Sequence, residues 1–426
     1  MERLFNTREY KRSRHAYTAE CAFEYFATIL VTDAFLAKLL KQIGLSDASV
    51  GVLSSLVSVS FLFQLFSVLL MQRMRNVKRT VLLVTLGSQI LFLGVYLVPF
   101  LPVPGALRGA AAAVGILGGY ALRDLVASVM FRWGNSFVDP RMRGEYSAVK
   151  EMISLLSGIV FTLAAGFLFD RFEQNGDPEG GFLMLGAAML LSSAAQFVCL
   201  CVIGRGEAEE REHRPLGEVL RALFSNRAFL KITLLACLWY TAQYLSLGFL
   251  GTYKTVDLAF SVGTVQIVNT SANLCRFFIS RPFGRYSDRT SYARGFRTAM
   301  LMAAAAFAVC CFVTPGTRWL IVVHTVLLYT SYAGSNQNAY NMIYSYVEPE
   351  FFVQAMAIRA SVAGIVGFGA SLVGGKILSA VQEAGNRVLG FPIRGQQLLA
   401  FLSCLLALVC AGFTAFVVEK QRAEKR

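Results

Sequence analysis

The sequence predicts an all-α polytopic membrane protein with twelve transmembrane helices in two six-helix repeats. Three observations predict this class: the composition, the length of the apolar runs, and a motif that occurs once in each half. Of the 426 residues, 55% are hydrophobic and 15% are charged, whereas about 25% charged residues is usual for a soluble domain. A soluble enzyme, a nucleic-acid-binding domain and a secreted disulfide scaffold are therefore excluded.

Apolar runs between polar residues define the transmembrane spans. Residues 181–203 and 396–418 are each long enough to cross about 30 Å of hydrocarbon as a helix. The same pattern along the chain predicts twelve spans, at 18–40, 48–70, 80–101, 109–135, 149–169, 181–203, 229–252, 260–281, 297–314, 319–341, 356–380 and 396–418. An even number of spans places both termini on one side of the membrane.

The distribution of basic residues predicts which side that is. If both termini are cytoplasmic, 27 Lys and Arg residues lie in or beside cytoplasmic segments and 9 in or beside external ones. Basic residues concentrate in cytoplasmic loops, so the bias predicts a multi-pass protein of the cell membrane with cytoplasmic termini. The net charge of +14 then reflects topology, and no nucleic-acid partner is predicted.

One loop divides the chain. Residues 204–228 are rich in charge and separate a predicted N-terminal six-helix bundle, 1–203, from a C-terminal one, 229–426. Within the loop, Leu216, Val219, Leu220 and Leu223 share one face at helical spacing. This face predicts a short amphipathic helix on the cytoplasmic membrane surface, and a solvated linker is the alternative.

The repeated motif follows the fourth and the tenth predicted spans. DPRMRGEYSAVK begins at residue 139 and EPEFFVQAMAIR at residue 348, an offset of 209 residues. Each copy has an acid followed by proline and a basic residue ten positions after that proline, Lys150 and Arg359. Parallel repeats of this kind are a transporter design, so the sequence favours a transporter over a channel or a membrane-bound enzyme.

A second loop carries a family resemblance. GRYSDRTSYAR at 284–294 resembles the loop signature of the major facilitator superfamily, Gly-x-x-x-Asp-Arg followed by basic residues. The first-half counterpart, MQRMRNVKR at 71–79, keeps the basic cluster but has Met74 at the position of the signature's acid. The resemblance covers the whole chain in topology and implies a secondary transporter of bacterial type that works by alternating access.

The resemblance also implies a cytoplasmic gate. In the family, the Asp and Arg of this loop belong to a charge network that closes the cytoplasmic side. We therefore assign a gating role to Gly284, Asp288 and Arg289, and extend it to Arg143 and Arg359 of the repeated motif.

Charged residues inside the spans are unevenly distributed. The first span contains Glu20, Glu24 and Asp33, the fourth contains Arg123 and Asp124, and the third, sixth, ninth and twelfth have none near their centres. In the fold that the chain resembles, the first and fourth spans border the central cavity. Acids within a membrane commonly form proton relays, so we predict proton coupling through Glu24, Asp33, Arg123 and Asp124, with Glu20 as an interfacial acid. Structural ion pairing and coupling to sodium are the alternatives.

Stripes of amide and aromatic residues predict a binding site for a polar organic solute. Hydrogen bonding between helices, which uses the same residue types, is the alternative. The predicted substrate-binding residues are Gln64 of the second span, Tyr240 and Gln243 of the seventh, Gln266, Asn269 and Asn273 of the eighth, and Tyr329, Tyr332 and Asn336 of the tenth.

Together these features predict a proton-coupled secondary transporter of a small neutral polar solute, similar to a sugar or a nucleoside. No P-loop is present, so ATP is not the direct energy source, and the acids outnumber the fourth-span arginine, which disfavours an anion. A proton-driven exporter of drugs or cations and a non-transporting sensor or scaffold are the alternatives. We expect no enzymatic activity, no cofactor and no metal, and by analogy a monomer in the lipid bilayer.

Overall fold

The computed structural model describes residues 7–73, 76–139, 143–204, 216–348, 351–388 and 390–419. Met74, and the prolines of the repeated motif, Pro140 and Pro349, lie outside the described residues. For Arg143 only the backbone is described.

Helices follow one another closely along the first half. They are α1 Arg8–Leu30, α2 Asp33–Gln42, α3 Asp47–Ser54, α4 Leu56–Ser60, α5 Leu62–Arg73, α6 Val77–Leu97, α7 Gly105–Asn135, α8 Arg143–Gln174 and α9 Pro178–Val202.

The second half is also helical, apart from one short hairpin. Its helices are α10 Leu216–Ser225, α11 Arg227–Tyr244, α12 Val262–Arg289, α13 Tyr292–Cys310, α14 Leu320–Tyr346, α15 Phe352–Glu383 and α16 Gly395–Phe413. Short 3-10, α and π turns extend α11 to Asp257, and a π turn extends α16 to Val418. The strands β1 Arg387–Val388 and β2 Phe391–Pro392 pair antiparallel between α15 and α16.

Capping residues determine where several of these helices begin. Asp177 accepts a hydrogen bond from the Gly180 amide at the start of α9, and Asn226 accepts from two amides at the start of α11. Ser261 and Ser291 do the same for α12 and α13. A side-chain oxygen at this position satisfies backbone N–H groups that have no partner within the helix.

The chain forms two compact units. The N-terminal unit comprises Met1–Leu45 and Phe63–His213, and the C-terminal unit comprises Ser46–Leu62 and Arg214–Arg426. The predicted division at residues 203 and 229 differs from this grouping in one segment, 46–62, which packs against α15. The helix predicted within the linker is present as α10, and its place on the membrane surface stays a prediction.

Within the described ranges, nine helical stretches are long and apolar enough to cross a membrane. The predicted first, eighth and tenth spans also coincide with helices but fall outside this set. Charged and amide side chains lower the hydropathy of these three segments. A count of twelve spans therefore stays a prediction.

The first predicted span is broken, and the expectation of one continuous helix is wrong. Helix α1 ends at Leu30, and α2 begins at Asp33, which has a φ of 44°. The Tyr96 hydroxyl donates to the Leu30 carbonyl at 2.5 Å, and the Tyr120 hydroxyl donates to the Thr28 carbonyl at 3.4 Å. The Thr28 carbonyl also accepts from the Val31 amide, whereas the Leu30 carbonyl, released by the break, depends on the Tyr96 donor.

Close backbone approaches position the helices in each unit. In the N-terminal unit, a Cβ at Gly158 of α8 would lie 2.3 Å from the Tyr25 ring of α1. In the C-terminal unit, a Cβ at Gly364 of α15 would lie 2.1 Å from the Ser58 carbonyl oxygen of α4. Glycine is required at both positions because any side chain would overlap atoms already there.

Candidate functional site

The N-terminal unit contains a charged cluster between α1 and α7. Arg123 Nε donates to Glu24 Oε1 at 2.5 Å, and Arg123 Nη1 lies 3.8 Å from Asp124 Oδ1. The Arg123 and Glu24 side chains are 36% and 27% exposed, whereas that of Asp124 is 3% exposed. One guanidinium therefore lies between a partly accessible carboxylate and a buried one.

A third helix joins this cluster. Gln64 Nε2 on α5 donates to Asp124 Oδ1 at 3.4 Å. The structure thus brings together Gln64, predicted to bind substrate, with Glu24, Arg123 and Asp124, predicted to couple protons. An amide that contacts the buried carboxylate links the residues of the two predicted roles.

Asp33 is placed differently from the rest of the predicted proton-coupling set. Asp33 begins α2, beyond the break in the first span, so it does not lie on the same helix as Glu24. Lys38, also on α2, pairs with Glu173 of α8 at 2.5 Å.

Glu20 lies inside the N-terminal unit, and its interpretation as an interfacial acid is wrong. The residue is 2% exposed, and its Oε1 accepts from Gln196 Nε2 at 2.8 Å. Gln196 accepts in turn from Gln89 at 2.7 Å, and Gln89 accepts from Ser193 at 2.8 Å. The isolated glutamines of the third and sixth spans were the sequence signal for this buried chain of hydrogen bonds.

The C-terminal unit places the predicted stripes of α11 and α14 side by side. Gln243 Nε2 donates to the Tyr332 hydroxyl at 3.1 Å. The Tyr332 ring lies 6.3 Å from Trp239 and 5.7 Å from Tyr329, centroid to centroid. These two helices therefore form one polar and aromatic face.

The other predicted substrate residues differ in accessibility. On α12, Gln266 is buried at 4% exposure, whereas Asn269 and Asn273 are half-buried. On α14, Asn336 is exposed. Tyr240 of α11 is half-buried, with its ring 5.6 Å from that of Tyr244.

Arg359 belongs with this polar face. Its guanidinium lies 5.9 Å from the Tyr340 ring centroid, and it interacts electrostatically with the Tyr240 and Tyr340 phenols. Lys150, its counterpart in the repeated motif, also contacts a tyrosine: its Nζ lies 4.5 Å from the Tyr17 ring centroid. The two equivalent basic residues thus each face an aromatic ring.

The signature residues assigned to the gate form no ion pair with another described residue. Asp288 and Arg289 are exposed at the end of α12. Gly284 is buried, and a Cβ there would lie 3.3 Å from the Gln337 side-chain amide. Another acid has the ionic role: Glu419, just after α16, lies 3.1 Å from Arg297 and 3.6 Å from Arg294. Sequence reasoning did not identify Glu419, which directly follows the last predicted span, 396–418.

The N-terminal unit has an equivalent contact without an acid. Lys78, at the start of α6, donates to the Cys201 and Ile203 carbonyls at the end of α9, each at 2.6 Å. A helix C-terminus carries partial negative charge. Backbone carbonyls at the end of α9 therefore bind the basic residue here, as the Glu419 carboxylate binds two arginines in the C-terminal unit.

Other ligand types find little support in the described part of the chain. No group of three or more His, Cys, Asp or Glu side chains could hold a metal ion there. A cavity of about 390 Å³ in the C-terminal unit has an almost wholly apolar lining, so it does not match the predicted polar solute. Its lining residues are Thr241, Leu245, Ala370, Val373, Ile377, Leu402, Leu405 and Leu406.

Comparison with known proteins identifies the family. The sequence model described as Major Facilitator Superfamily matches residues 21–358. The chain therefore belongs to the major facilitator superfamily and is a multi-pass membrane transporter. A search of curated proteins finds no significant match.

Solved structures show the same fold at low sequence identity. A mutant of the nucleoside transporter NupG matches with a TM-score of 0.75 and 13% identity, over 95% of this chain and 99% of that chain. An auto-inhibited POT family peptide transporter matches with a TM-score of 0.71 and 12% identity, over 96% and 97%. A D-xylose-proton symporter matches with a TM-score of 0.66 and 10% identity, over 92% and 96%.

Proposed function

We propose that this chain is a secondary active transporter that couples a small polar organic solute to protons by alternating access. The supporting observation is the cluster in which Arg123 contacts both Glu24 and Asp124. Charged groups inside a bilayer are costly and are typically retained for function. A non-transporting scaffold would have little reason to keep three of them together.

The cluster suggests how a proton changes the site. When Glu24 takes up a proton, its attraction for Arg123 falls, because the carboxyl group becomes neutral. Asp124 is the second carboxylate in reach of Arg123, at 3.8 Å. Arg123 then turns from Glu24 towards Asp124. This movement alters the hydrogen bond that the Gln64 amide donates to Asp124. Proton uptake and the polar contacts of the site are coupled in this way.

The solute would be recognised by amide and phenol groups. Gln243 and Tyr332 offer a donor and an acceptor beside aromatic rings on which a flat or hydroxylated body can pack. A sugar- or nucleoside-like solute fits this chemistry. Two structural neighbours, a nucleoside transporter and a D-xylose-proton symporter, support the same class.

We further propose that the transporter is a monomer in the cell membrane with both termini in the cytoplasm. The 27 basic residues in predicted cytoplasmic segments, against 9 in external ones, support that orientation.

The test is solute-driven proton movement in vesicles. The full chain is reconstituted into liposomes that contain a pH-sensitive dye, and uridine, D-xylose and a panel of related solutes are added outside. We expect at least one solute to acidify the lumen, with no requirement for sodium. Glu24→Gln should abolish acidification but retain solute exchange, whereas the matched control Glu173→Gln should behave as wild type. Proton coupling at the cluster is wrong if Glu24→Gln and Asp124→Asn both retain full acidification.

A further inference from the structure

We propose that the C-terminal unit binds an oxyanion group of the solute, a carboxylate or a phosphate, through Arg276 with Arg359 as a second cation. The inference rests on the proposed transport function and deepens it by naming a charged group on the polar solute.

Arg276 lies about midway along α12, between Val262 and Arg289. It is half-buried and interacts electrostatically with the Tyr332 phenol of α14. Tyr332 in turn accepts the hydrogen bond from Gln243 of α11. Arg276 therefore lies within the eighth predicted span and beside the polar face of α11 and α14.

Neither arginine has a carboxylate partner among the described residues. The described acids of the C-terminal unit with ion pairs have other partners: Glu419 pairs with Arg294 and Arg297, and Asp257 pairs with Arg394. An arginine within a membrane normally pairs with an acid or with backbone carbonyls, because an unpaired charge there is costly. An anionic solute would supply the missing partner.

Arg359 supports the same interpretation from α15. Its Nε is buried and has no hydrogen-bond partner in the described chain. It interacts with Tyr240 of α11, which lies three residues before Gln243 and therefore on the same helical face. The α11 face thus connects Arg359, through Tyr240, with Arg276, through Gln243 and Tyr332. Guanidinium groups bind carboxylate and phosphate with two parallel hydrogen bonds.

The two units differ in the availability of their cations. In the N-terminal unit, Arg123 is already paired with Glu24 and lies near Asp124. The neutral solute predicted from the sequence depended on a balance in which Arg123 was the cation facing those acids. With Arg123 paired and Arg276 and Arg359 without a carboxylate, the balance favours one anionic group on the solute's polar body.

The test uses matched probes that differ by one oxyanion. Thermal stability of the purified full chain is measured with D-glucose, gluconate and glucose 6-phosphate, with uridine and uridine 5′-monophosphate, and with inorganic phosphate and acetate alone. We expect at least one charged member to raise the Tm more than its neutral partner. Gluconate against glucose 6-phosphate, and acetate against phosphate, distinguish a carboxylate from a phosphate.

Variants then assign the binding to the arginines. Arg276→Gln should weaken the affinity for the charged probe by about tenfold or more, since a hydrogen bond to a charged group contributes about 1.5–3 kcal/mol. Arg276→Lys keeps the charge and should lose less, which provides a folded comparison if the glutamine variant fails to fold. Arg285→Gln, at an exposed position on the same helix, should leave the affinity unchanged.

Three results of the binding measurements overturn the inference: no anion stabilises the protein, neutral and charged partners stabilise it equally, or both Arg276 variants bind as wild type does. A neutral solute that drives protons and is insensitive to Arg276→Gln would also overturn it, and would leave the proposed function standing. Absence of proton movement with every stabilising solute would contradict the proposed function instead.

Discussion

Arg123 on α7 donates a hydrogen bond to Glu24 on α1, and the two atoms are 2.5 Å apart. The pair joins the first and fourth predicted spans, and the two residues are 99 positions apart along the chain. Both side chains are partly exposed. Its position beside buried Asp124 gives the guanidinium a second carboxylate to contact.

Substitution of Arg123 and substitution of Glu24 should affect transport differently. Arg123→Gln removes the guanidinium that contacts both carboxylates, whereas Glu24→Gln leaves Arg123 with Asp124. We therefore expect Arg123→Gln to stop both proton-driven uptake and solute exchange, and Glu24→Gln to stop only the former. Transport by proteoliposomes under a pH gradient and under equilibrium exchange distinguishes the two. Equal loss in both assays for both variants would contradict this division.

Glu20→Gln should lower the stability of the protein less than Gln196→Leu does. Glu20→Gln keeps an acceptor for Gln196 within the buried chain. Gln196→Leu removes the donor to Glu20 and the acceptor of Gln89 together, and leaving buried polar groups unpaired costs about 1–3 kcal/mol each. We expect a clearly lower Tm for Gln196→Leu and a nearly unchanged Tm for Glu20→Gln. A large loss for Glu20→Gln would instead show that the carboxyl group itself is required for stability.

Gly364 should be intolerant of alanine. A Cβ at this position would lie 2.1 Å from the Ser58 carbonyl oxygen. This oxygen is a backbone atom, so moving it requires a shift of α4. Overpacking of this kind costs about 1–3 kcal/mol, so the Tm of Gly364→Ala should fall. Gly369, five residues later on the same helix, has nothing within 4 Å of its Cβ position, and Gly369→Ala is the matched control. Similar Tm values for both variants would show that the close approach is not required.

Glu419 should matter more for the predicted gate than Asp288, the acid of the signature loop. Glu419 lies within ion-pair distance of Arg294 and Arg297, whereas exposed Asp288 pairs with no described residue. We expect Glu419→Gln to alter transport rates more than Asp288→Asn, with the Tm little changed in either. Initial rates of uptake by the reconstituted protein measure this difference. A larger effect of Asp288→Asn would return the gating role to the signature loop.

The fold class could be predicted from the sequence because apolar length and loop charge follow directly from the bilayer. Pairings between distant helices could not be predicted, as the Glu24–Arg123 contact and the Gln89–Gln196 bond illustrate. Helical periodicity gives the face on which a residue lies but not its neighbour on another helix.

The errors had similar causes. Glu20 was interpreted as interfacial because its distance from the end of the span was the only available guide, and burial depends on the helices around it. Asp33 was placed on a continuous helix because neither glycine nor proline marks the break at Val31 and Thr32. The sequence position of Glu419, directly after the last predicted span, does not indicate that Arg294 and Arg297 are its neighbours.

The break in the first span should depend on Tyr96. Its hydroxyl is the donor to the Leu30 carbonyl at 2.5 Å, whereas the Tyr120 contact with Thr28 is longer, at 3.4 Å. Tyr96→Phe removes that donor and should destabilise the protein by about 1–3 kcal/mol. Tyr120→Phe should cost less. Thermal unfolding of both variants checks the order, which would be reversed if the longer contact were the important one.

The same break has a consequence for biogenesis. The donors that satisfy its carbonyls come from α6 and α7, which are synthesised after α1 and α2. Until these later segments leave the ribosome and enter the membrane, the first segment has no phenol to complete its backbone bonding. We therefore expect the nascent chain to insert its first segment as an unbroken helix or to hold it at the translocon. The bend would then form only when the third and fourth segments arrive.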